Sequence, residues 1–251
     1  MFNSIKTASN PQWIYIVDEF SIQRKISILE AEGLFNIKWL EWDRKDINPI
    51  EKSFPSHVTP KLLNNSNEVL NDLEIRFMNK QYGWGLFARG YIEKGSIIGV
   101  FTGIVSLQDR QVPIVAEHIF LYDAPNNNFG IVDGTRQGNI TRFLQHLPRE
   151  ENIKEYNFDP AIDKANVAVE NVEAIVVSLA LGSIKTNLFI TSRDIYANEI
   201  IGCSYDPAFW EGKTPTFFRK DGSVIASQFY YKTRKDSLTL IGRNAVPIYS
   251  K

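Results

Sequence analysis

Residues 199–210 read EIIGCSYDPAFW, and this stretch raises the question of which side chain carries the chemistry of the protein. It contains GCSYD where the nucleophile elbow of an α/β-hydrolase contains G-x-S-x-G, so Ser204 is a candidate nucleophile. Cys203 and Tyr205 flank this serine and are candidates as well. The order of potential partners along the chain separates the three.

The positions of the histidines argue against a serine hydrolase, because in α/β-hydrolases the catalytic histidine follows the elbow. The chain has three histidines, all upstream of Ser204: His57, His118 and His146. Asp206 also stands in the place of the second elbow glycine. A papain-like pair fails on the same order. A cysteine hydrolase with the caspase order, His146 before Cys203, stays open on spacing, although the local caspase signature is absent.

Length and composition favour an ordinary globular protein with a sizeable core. The chain has 251 residues, 43% of them hydrophobic, and its 28 basic and 29 acidic side chains give a net charge of −1. This balance argues against a protein that coats polyanions over its whole surface. One cysteine excludes an intramolecular disulfide and a cysteine-rich zinc cluster. With no membrane-length apolar run and no secretory signal, we expect a soluble protein of a reducing compartment.

The first 71 residues predict a small α/β region. WIYIV at residues 13–17 is typical of a strand, and NIKWLEW at residues 36–42 favours another. Between them we predict an amphipathic helix capped by Ser21 and ended by Gly33, with one apolar stripe: Ile22, Ile26 and Leu29. Residues 47–72 are rich in Asn, Pro and Ser, which predicts a linker or long loop and a boundary near residue 71.

Beyond that boundary, short apolar runs alternate with glycines and predict a mostly β, α+β domain rather than βαβ units. The runs are LEIRF, GLFARGYI, GSIIGVFTGIVSL, FGIVDG, NVAVENVEAIVVSLAL and TNLFITSRDI. No phosphate loop, HExxH helix or EF-hand motif is present, so no metal site is predicted.

Three blocks in order resemble the SET-domain family of protein lysine methyltransferases. They are GWG with the following KGSII and FTG, then NFGIVDGTRQGNITRFLQH, and then LFITSRDIYANEIIGCSYDPAFW. The family shows a GxG, a KG turn, an RFxNH stretch and an ending of the type AGEELTFDY with an aromatic pair beyond. The resemblance covers roughly residues 73–210. It implies a SET-type fold of several short-stranded sheets over residues 72–210, after an N-terminal region of residues 1–71 and before a post-SET-like extension of residues 211–251.

The resemblance also implies roles for particular residues. Tyr205 would be the catalytic tyrosine. The S-adenosylmethionine pocket would be formed by Gly83, Trp84, Gly85, Arg142, Phe143, Gln145, His146 and Trp210. The substrate channel would be lined by His118, Phe120, Tyr122 and Tyr230. Each of these side chains has an alternative role in packing or backbone support, and this applies to His118 and His146 above all.

Several positions depart from the family pattern. Gln145 replaces the asparagine before the histidine, and Leu147 and Pro148 replace the Ser-Cys pair that follows. The Pro-Asn pair of the family is displaced, with Asn166 as the candidate. Ser204 stands at the aspartate position and Cys203 at the aromatic position.

The implied chemistry suits these residue types. A lysine amine is protonated at neutral pH, and an apolar channel beside the sulfonium charge of S-adenosylmethionine lowers its pKa. A tyrosine hydroxyl then positions the reacting groups without adding a permanent charge, and S-adenosylhomocysteine is the product. Aromatic walls favour the methylated cation.

Charge patterns suggest the partners. Residues 150–173 carry an excess of acidic side chains, which would attract a basic peptide such as a histone tail, while the basic segment after residue 211 could contact nucleic acid. Two solvated faces of opposite charge are the simpler explanation of both segments. We predict a protein-lysine methyltransferase, compatible with a bacterial effector that acts in the host cytoplasm or nucleus. A SET-like module that binds peptide or cofactor without turnover is the alternative, motivated by the altered RFLQH block.

Overall fold

The computed structural model describes residues 11–42, 47–49, 66–109, 118–124, 128–153, 166–179, 184–205 and 216–225. Within these residues the chain forms seventeen short strands and three short α-helices. The prediction of a mostly β protein built from several small sheets is therefore confirmed.

The strands and helices follow one another in chain order. The strands are β1 (Trp13–Val17), β2 (Gln23–Ser27), β3 (Lys38–Trp39), β4 (Ile47–Pro49), β5 (Leu73–Asn79), β6 (Gly83–Ala88), β7 (Ile97–Val100), β8 (Ile104–Asp109), β9 (Ile119–Ala124), β10 (Asn128–Asp133), β11 (Gln137–Gly138), β12 (Gln145–His146), β13 (Val172–Leu179), β14 (Ile184–Thr191), β15 (Ile200–Cys203), β16 (Phe217–Phe218) and β17 (Val224–Ile225). The helices are α1 (Ile28–Phe35), α2 (Ser66–Asn71) and α3 (Glu150–Ile153), and a 3-10 helix spans Ile140–Phe143.

The largest sheet has six strands in the order β12-β15-β6-β5-β1-β2. Strand β5 pairs antiparallel with β6 and parallel with β1, which places strands of the N-terminal region in the same sheet as the GWG segment. The remaining strands form a four-stranded sheet β4-β13-β14-β7, a three-stranded sheet β8-β10-β9, and two small pairs, β3-β11 and β16-β17.

Alternation along the strands creates two apolar layers. On β5, Leu73 and Ile75 are fully buried and join the main core, where they pack with residues of β1, β7, β13 and β14. Phe87 of β6 belongs instead to a second cluster on the opposite face, together with Leu147 and Phe218. Since side chains of a strand point alternately to the two faces, one sheet separates the two clusters.

The helix predicted from Ser21 to Gly33 begins later than expected. Residues Gln23–Ser27 form β2, in which Ile26 is buried opposite Ile14 of β1. The helix starts after Ser27, which forms a capping box with Glu30, and it ends at the left-handed Asn36 rather than at Gly33. Pairing with β1 therefore overrides the helical spacing of the apolar residues, because it buries Ile26 and satisfies the backbone of β2.

The predicted linker of residues 47–72 is also partly wrong. Its first three residues form β4, paired with β13, and its end forms α2. Residues 50–65 lie outside the described part of the chain. The predicted boundary near residue 71 stays a prediction. Among the described residues, no helix is long and apolar enough to cross a membrane.

Candidate active site

The site is organised by the contact of β12 with β15. These two strands are far apart in sequence but pair in parallel, with Gln145 opposite Gly202 and His146 opposite Cys203. A Cβ atom on Gly202 would lie 2.3 Å from the carbonyl oxygen of Gln145, so this close approach requires glycine. The pairing brings the RFLQH block next to the SYD block.

The RFLQH block forms hydrogen bonds with both the backbone and the side-chain hydroxyl of Tyr205. Its backbone N–H donates to Nδ1 of His146 at 3.0 Å. Its hydroxyl donates to the carbonyl oxygen of Leu144 at 2.8 Å. The His146 and Tyr205 rings lie 5.3 Å apart. The phenol therefore has one fixed orientation, since both its backbone and its hydroxyl are bonded to the same short segment.

His146 acts in this arrangement as a neutral acceptor. A nitrogen that accepts a hydrogen bond from a backbone N–H cannot carry a proton itself. The ring is buried, and burial lowers the pKa of His146 to about 3. The side chain thus adds no positive charge to the site at neutral pH, and its hydrogen bond is directed at the backbone of Tyr205.

The Tyr205 hydroxyl stays protonated under ordinary conditions. Burial raises the pKa of Tyr205 well above its usual value, with a further contribution from Cys203. Such a group can donate a hydrogen bond and accept another, but it is not a base at neutral pH. Its chemistry is restricted to positioning and polarisation.

Asn171 holds the strand that leads into Tyr205, and the sequence analysis did not identify it. Its side-chain amide donates to the carbonyl oxygen of Ile200 at 2.8 Å and accepts from the N–H of Gly202 at 3.0 Å. The residue is 1% exposed. Asn166, the candidate for the displaced family asparagine, is exposed and lies outside this contact. The available signal was the position of Asn171 directly before the apolar run that forms β13.

Glu170 holds the next peptide of the same segment. Its carboxylate accepts from the N–H of Ser204 at 3.2 Å and lies 3.5 Å from Nε of Arg149. Two consecutive backbone N–H groups, those of Ser204 and Tyr205, are therefore bonded to side chains rather than to a neighbouring strand. This arrangement fixes the end of β15 where its strand pairing stops.

The GWG segment lies against the other side of the RFLQH block. The side-chain amide of Gln145 donates to the carbonyl oxygen of Trp84 at 3.0 Å. Gly83 has a φ of 65°, a left-handed conformation that favours glycine, and no atom lies within 4 Å of the position that a Cβ atom would occupy. The backbone at Gly83 is thus accessible to a ligand, and Gln145 ties the segment to β12.

An aromatic cluster supports this segment and includes a residue from the N-terminal region. The ring of Trp84 packs edge-on against Phe77 at 5.3 Å and against Phe35 of α1 at 5.2 Å. Phe35 also lies 4.7 Å from the ring of Phe143. Glu41 accepts a hydrogen bond of 2.8 Å from Asn139, the N-cap of the 3-10 helix. The N-terminal region therefore packs directly on two residues of the candidate cofactor pocket, Trp84 and Phe143, and no local pattern in the sequence indicates this contact.

Arg142 and His118 lie close to each other. The guanidinium of Arg142 donates to the carbonyl oxygen of Thr135 at 3.4 Å and lies 5.5 Å from the ring of Phe143. Burial, aided by the charge of Arg142, lowers the pKa of His118 to about 4, against the opposing effect of Asp133. His118 is therefore neutral at physiological pH.

Phe120 and Tyr122 share one face of β9. Their rings lie 6.2 Å apart in a stacked arrangement, and both pack against the main core. The Tyr122 ring covers the backbone of Gly130, where a Cβ atom would lie 2.0 Å from it. Trp210 and Tyr230, the remaining predicted site residues, lie outside the described part of the chain, as do Phe209 and the aromatic residues of the tail after Ile225.

Cys203 has the properties of a core residue. It is 7% exposed, and burial together with the charge of Glu170 raises the pKa of its thiol to about 12. His146 lies opposite Cys203 in the strand pairing. The His146 ring, however, accepts a hydrogen bond from the backbone N–H of Tyr205, and its low pKa disfavours the imidazolium form. A thiolate–imidazolium pair is therefore disfavoured, and the cysteine hydrolase hypothesis loses its chemical basis.

Comparison with known proteins identifies the same region. Residues 83–206 match the model of the SET domain. The mouse (Mus musculus) histone-lysine N-methyltransferase EHMT1 is 24% identical over 182 residues, which are 70% of this chain and 12% of that protein. This chain thus spans about one eighth of the length of that relative.

Two solved structures are similar to parts of this chain. The methyltransferase domain of human histone-lysine N-methyltransferase SETMAR has 20% identity and a TM-score of 0.35, over 53% of this chain and 44% of that one. The structure of KRYPTONITE in complex with mCHG DNA and SAH has 17% identity and a TM-score of 0.41, over 63% of this chain and 29% of that one. The family model gives the stronger result: residues 83–206 of this chain form a SET domain, homologous to those of histone-lysine methyltransferases.

Proposed function

We propose that this protein is a protein-lysine N-methyltransferase that takes its methyl group from S-adenosylmethionine. The observation that carries the proposal is the pair of hydrogen bonds formed by Tyr205: its backbone N–H donates to His146, and its hydroxyl donates to the carbonyl oxygen of Leu144. A tyrosine fixed in this way within a SET domain is suited to align an amine with a methyl donor. Positioning of this kind can lower a barrier by several kcal/mol.

The described residues fit the cofactor at the GWG segment. The open space beside Gly83 leaves room for an elongated polar ligand, and the Trp84 ring supplies an apolar wall next to it. The neutral state of His146 suits a ligand that carries a positive sulfonium group, because the imidazole adds no positive charge beside it. Gly85, Arg142, Phe143 and Gln145 complete the proposed pocket from the adjacent elements, and Trp210 would contribute from outside the described residues.

The residues of the chain then have distinct tasks. S-adenosylmethionine, when bound, supplies a methyl group on a positively charged sulfur. The substrate lysine must lose its proton before transfer, and the raised pKa of Tyr205 means that this residue does not take it. Desolvation in an apolar channel lowers the pKa of the amine enough for the proton to leave to water. Tyr205 positions the neutral amine, and His118, Phe120, Tyr122 and Tyr230 are the proposed channel residues.

The substrate proposed here is a histone or another basic protein. The mouse relative EHMT1 is named a histone-lysine N-methyltransferase. Within this chain, the acidic residues from Glu150 onward follow the RFLQH block directly and would attract a basic peptide, although most of them lie outside the described residues.

The test is incubation of the purified protein with S-adenosylmethionine labelled on its methyl group and with core histones, followed by mass spectrometry of the modified residues. We expect label on lysine. Calorimetry with unlabelled cofactor distinguishes the alternative: binding of the cofactor without transfer to histones or to a bacterial or host lysate would favour the non-catalytic module. Absence of cofactor binding would contradict both.

A further inference from the structure

A polar recess opens on one face of the six-stranded sheet, beside strands β1, β2 and β5. Its volume is about 350 Å³, and its lining includes Gln23 of β2, Glu74 and Arg76 of β5, Arg89 after β6, and Asn198 before β15. None of these residues belongs to the proposed active site. The recess is distinctive because two arginines face it while its one lining carboxylate is buried.

Arg76 is fixed in place by a network at the base of the recess. Its guanidinium donates to Glu74 through Nε and Nη2, and to the side-chain oxygen of Asn198 at 3.1 Å. Its guanidinium carbon also lies 4.3 Å over the ring of Phe87. Glu74, 2% exposed, accepts a further bond of 2.7 Å from Gln23. Both oxygens of the buried carboxylate are thus hydrogen-bonded, and Arg76 offsets its negative charge.

Arg89 is the second fixed guanidinium. Its Nε donates to the carbonyl oxygen of Asn71 at 2.8 Å, and its guanidinium carbon lies 3.9 Å over the ring of Tyr15. It forms no salt bridge with any residue that the structure describes. Its two terminal nitrogens therefore retain their capacity to donate, and the flat guanidinium is the group best suited to the oxygens of a phosphate.

Aromatic and cationic side chains continue from the recess along β1 and β2. Tyr15 lies between Arg89 and Lys25, whose Nζ is 5.7 Å from the Tyr15 ring and 3.6 Å over the ring of Trp13. Trp13 is 45% exposed. Trp13, Tyr15 and Val17 all point to this face, because Ile14 and Ile16 point into the core. We call the surface formed by the following five residues the ladder face: Trp13, Tyr15, Lys25, Arg76 and Arg89.

The charge of the ladder face is positive although the chain as a whole is nearly neutral. Three cations stand against the buried Glu74. The acidic residues that flank this surface in sequence are Asp18, paired with Arg24 at 3.4 Å, Glu19, Asp72, whose carboxylate lies against Gly90, and Glu199, bonded to Arg193 at 2.8 Å. A local basic surface with an exposed aromatic ring binds phosphates through its cations and bases through its ring.

We propose that the ladder face binds single-stranded nucleic acid, with a backbone phosphate in the recess at Arg76 and Arg89 and a base stacked on Trp13. Trp13 and Val17 are four residues apart on one strand, roughly 13 Å, so the ligand must be an oligomer rather than a single nucleotide. The exposed tryptophan favours a nucleic acid over an acidic peptide, because a peptide carboxylate needs the arginines alone.

The test is fluorescence anisotropy with fluorescein-labelled oligo-dT and oligo-rU, each roughly 12 nucleotides long. We expect Arg89→Ala to weaken binding about ten-fold, as for a lost charge-assisted bond, and to reduce the slope of log affinity against log salt by about one. Arg89→Lys should weaken binding less. Trp13→Ala should weaken it by about five-fold or more through lost stacking, with little change in the salt slope. Circular dichroism verifies that each variant is folded.

The matched control is Arg24→Ala, an exposed arginine on the same strand pair that is bonded to Asp18. It should leave affinity unchanged, and a loss as large as that of Arg89→Ala would mean that only net charge matters, which overturns the proposed site. A decaglutamate peptide and sodium phosphate serve as competitors. Equal competition by decaglutamate would identify a surface for acidic peptides instead, and no binding at about 50 mM salt would overturn the proposal altogether. None of these measurements depends on methyltransferase activity.

Discussion

The candidate site contains two regions that are held together in different ways. At the contact of β12 and β15, the backbone N–H groups of Tyr205 and of the segment before it are bonded to the side chains of His146, Glu170 and Asn171. In β9, by contrast, the predicted channel residues Phe120 and Tyr122 are held by strand pairing and by stacking of their rings. The first region is fixed by directional polar contacts and the second by apolar packing.

This difference indicates where the sequence can vary. Apolar packing tolerates changes that conserve volume at a modest cost, whereas a buried hydrogen-bonding partner is costly to remove. We therefore expect changes near β12 and β15 to affect turnover or stability strongly, and changes in β9 to affect mainly the choice of substrate.

The largest effect is expected for Tyr205→Phe. Removal of the hydroxyl takes away the group that orients the amine, and we expect turnover to fall by about a hundred-fold or more, as for other losses of alignment. Affinity for S-adenosylmethionine should stay within a few-fold, because the hydroxyl is bonded to Leu144 rather than placed in the proposed cofactor pocket. Steady-state kinetics with a histone substrate and calorimetry with the cofactor measure the two quantities.

Tyr196→Phe is the matched control for this change. Tyr196 is 59% exposed and its ring pairs with Tyr91 at 5.8 Å, so its hydroxyl has no part in the site. Equal losses in both variants, or full activity in Tyr205→Phe, would contradict the assigned role.

The next largest effect is expected for Asn171→Ala. The change leaves the carbonyl of Ile200 and the N–H of Gly202 buried without their side-chain partner, and we expect the free energy of unfolding to fall by about 3 kcal/mol. Asn166→Ala is the control, because Asn166 is exposed, and it should change stability by less than about 0.5 kcal/mol. Urea denaturation compares the two. Equal effects would mean that the contact with β15 contributes little.

Acidic pH should destabilise the protein through His146. The pKa of His146 is lowered by burial from 6.5 to about 3, so below pH 6.5 the unfolded chain binds a proton that the folded chain does not. Stability should therefore be complete above pH 6.5 and should decrease as the pH falls toward 3. At pH 5 the loss attributable to this histidine is about 2 kcal/mol.

His146→Asn isolates this contribution, since asparagine does not titrate and retains an acceptor. The difference in unfolding free energy between the wild-type protein and the variant should shrink between pH 7 and pH 5. A difference that stays constant would show that His146 titrates normally in the folded state, and a difference that grows would show that it is already protonated there; either result would contradict the buried neutral ring. His118, with a pKa of about 4, should contribute an acid-sensitive step of the same sign.

Local patterns predicted the strands well and the long-range contacts poorly. The runs at β5, β6, β13 and β14 are strand-like in themselves, and the block around Tyr205 is dense enough to identify the family. The helix start was wrong because Ser21 and Ser27 are both acceptable caps, and the pairing of Ile26 with Ile14 decides between them. Glu30, three residues after Ser27, was the local signal for the capping box.

Other features depend on partners that no local pattern names. Asn171 is recognisable only through Ile200 and Gly202, about thirty residues downstream. No sequence pattern indicates that Phe35 contributes to the site, because it is an ordinary apolar residue of a helix. Its role follows only from its ring contacts with Trp84 and Phe143. The roles of single side chains at such long-range contacts can therefore be assigned only from the structure.

The smallest effect is expected for Cys203→Ala, which lies in the same region but makes an apolar contact. The thiol is buried and its pKa is raised to about 12, so it is neither a nucleophile nor an acceptor on which the site depends. The change removes one sulfur atom from a packed position, and we expect a loss of stability of about 1 kcal/mol with turnover within about two-fold of wild type. Parallel kinetics of Cys203→Ala and Tyr205→Phe provide the sharpest comparison of an apolar with a polar contact at this site. Loss of activity in the cysteine variant together with retention in the tyrosine variant would restore the hydrolase hypothesis, whereas the reverse pattern would assign the chemistry of the GCSYD segment to its tyrosine.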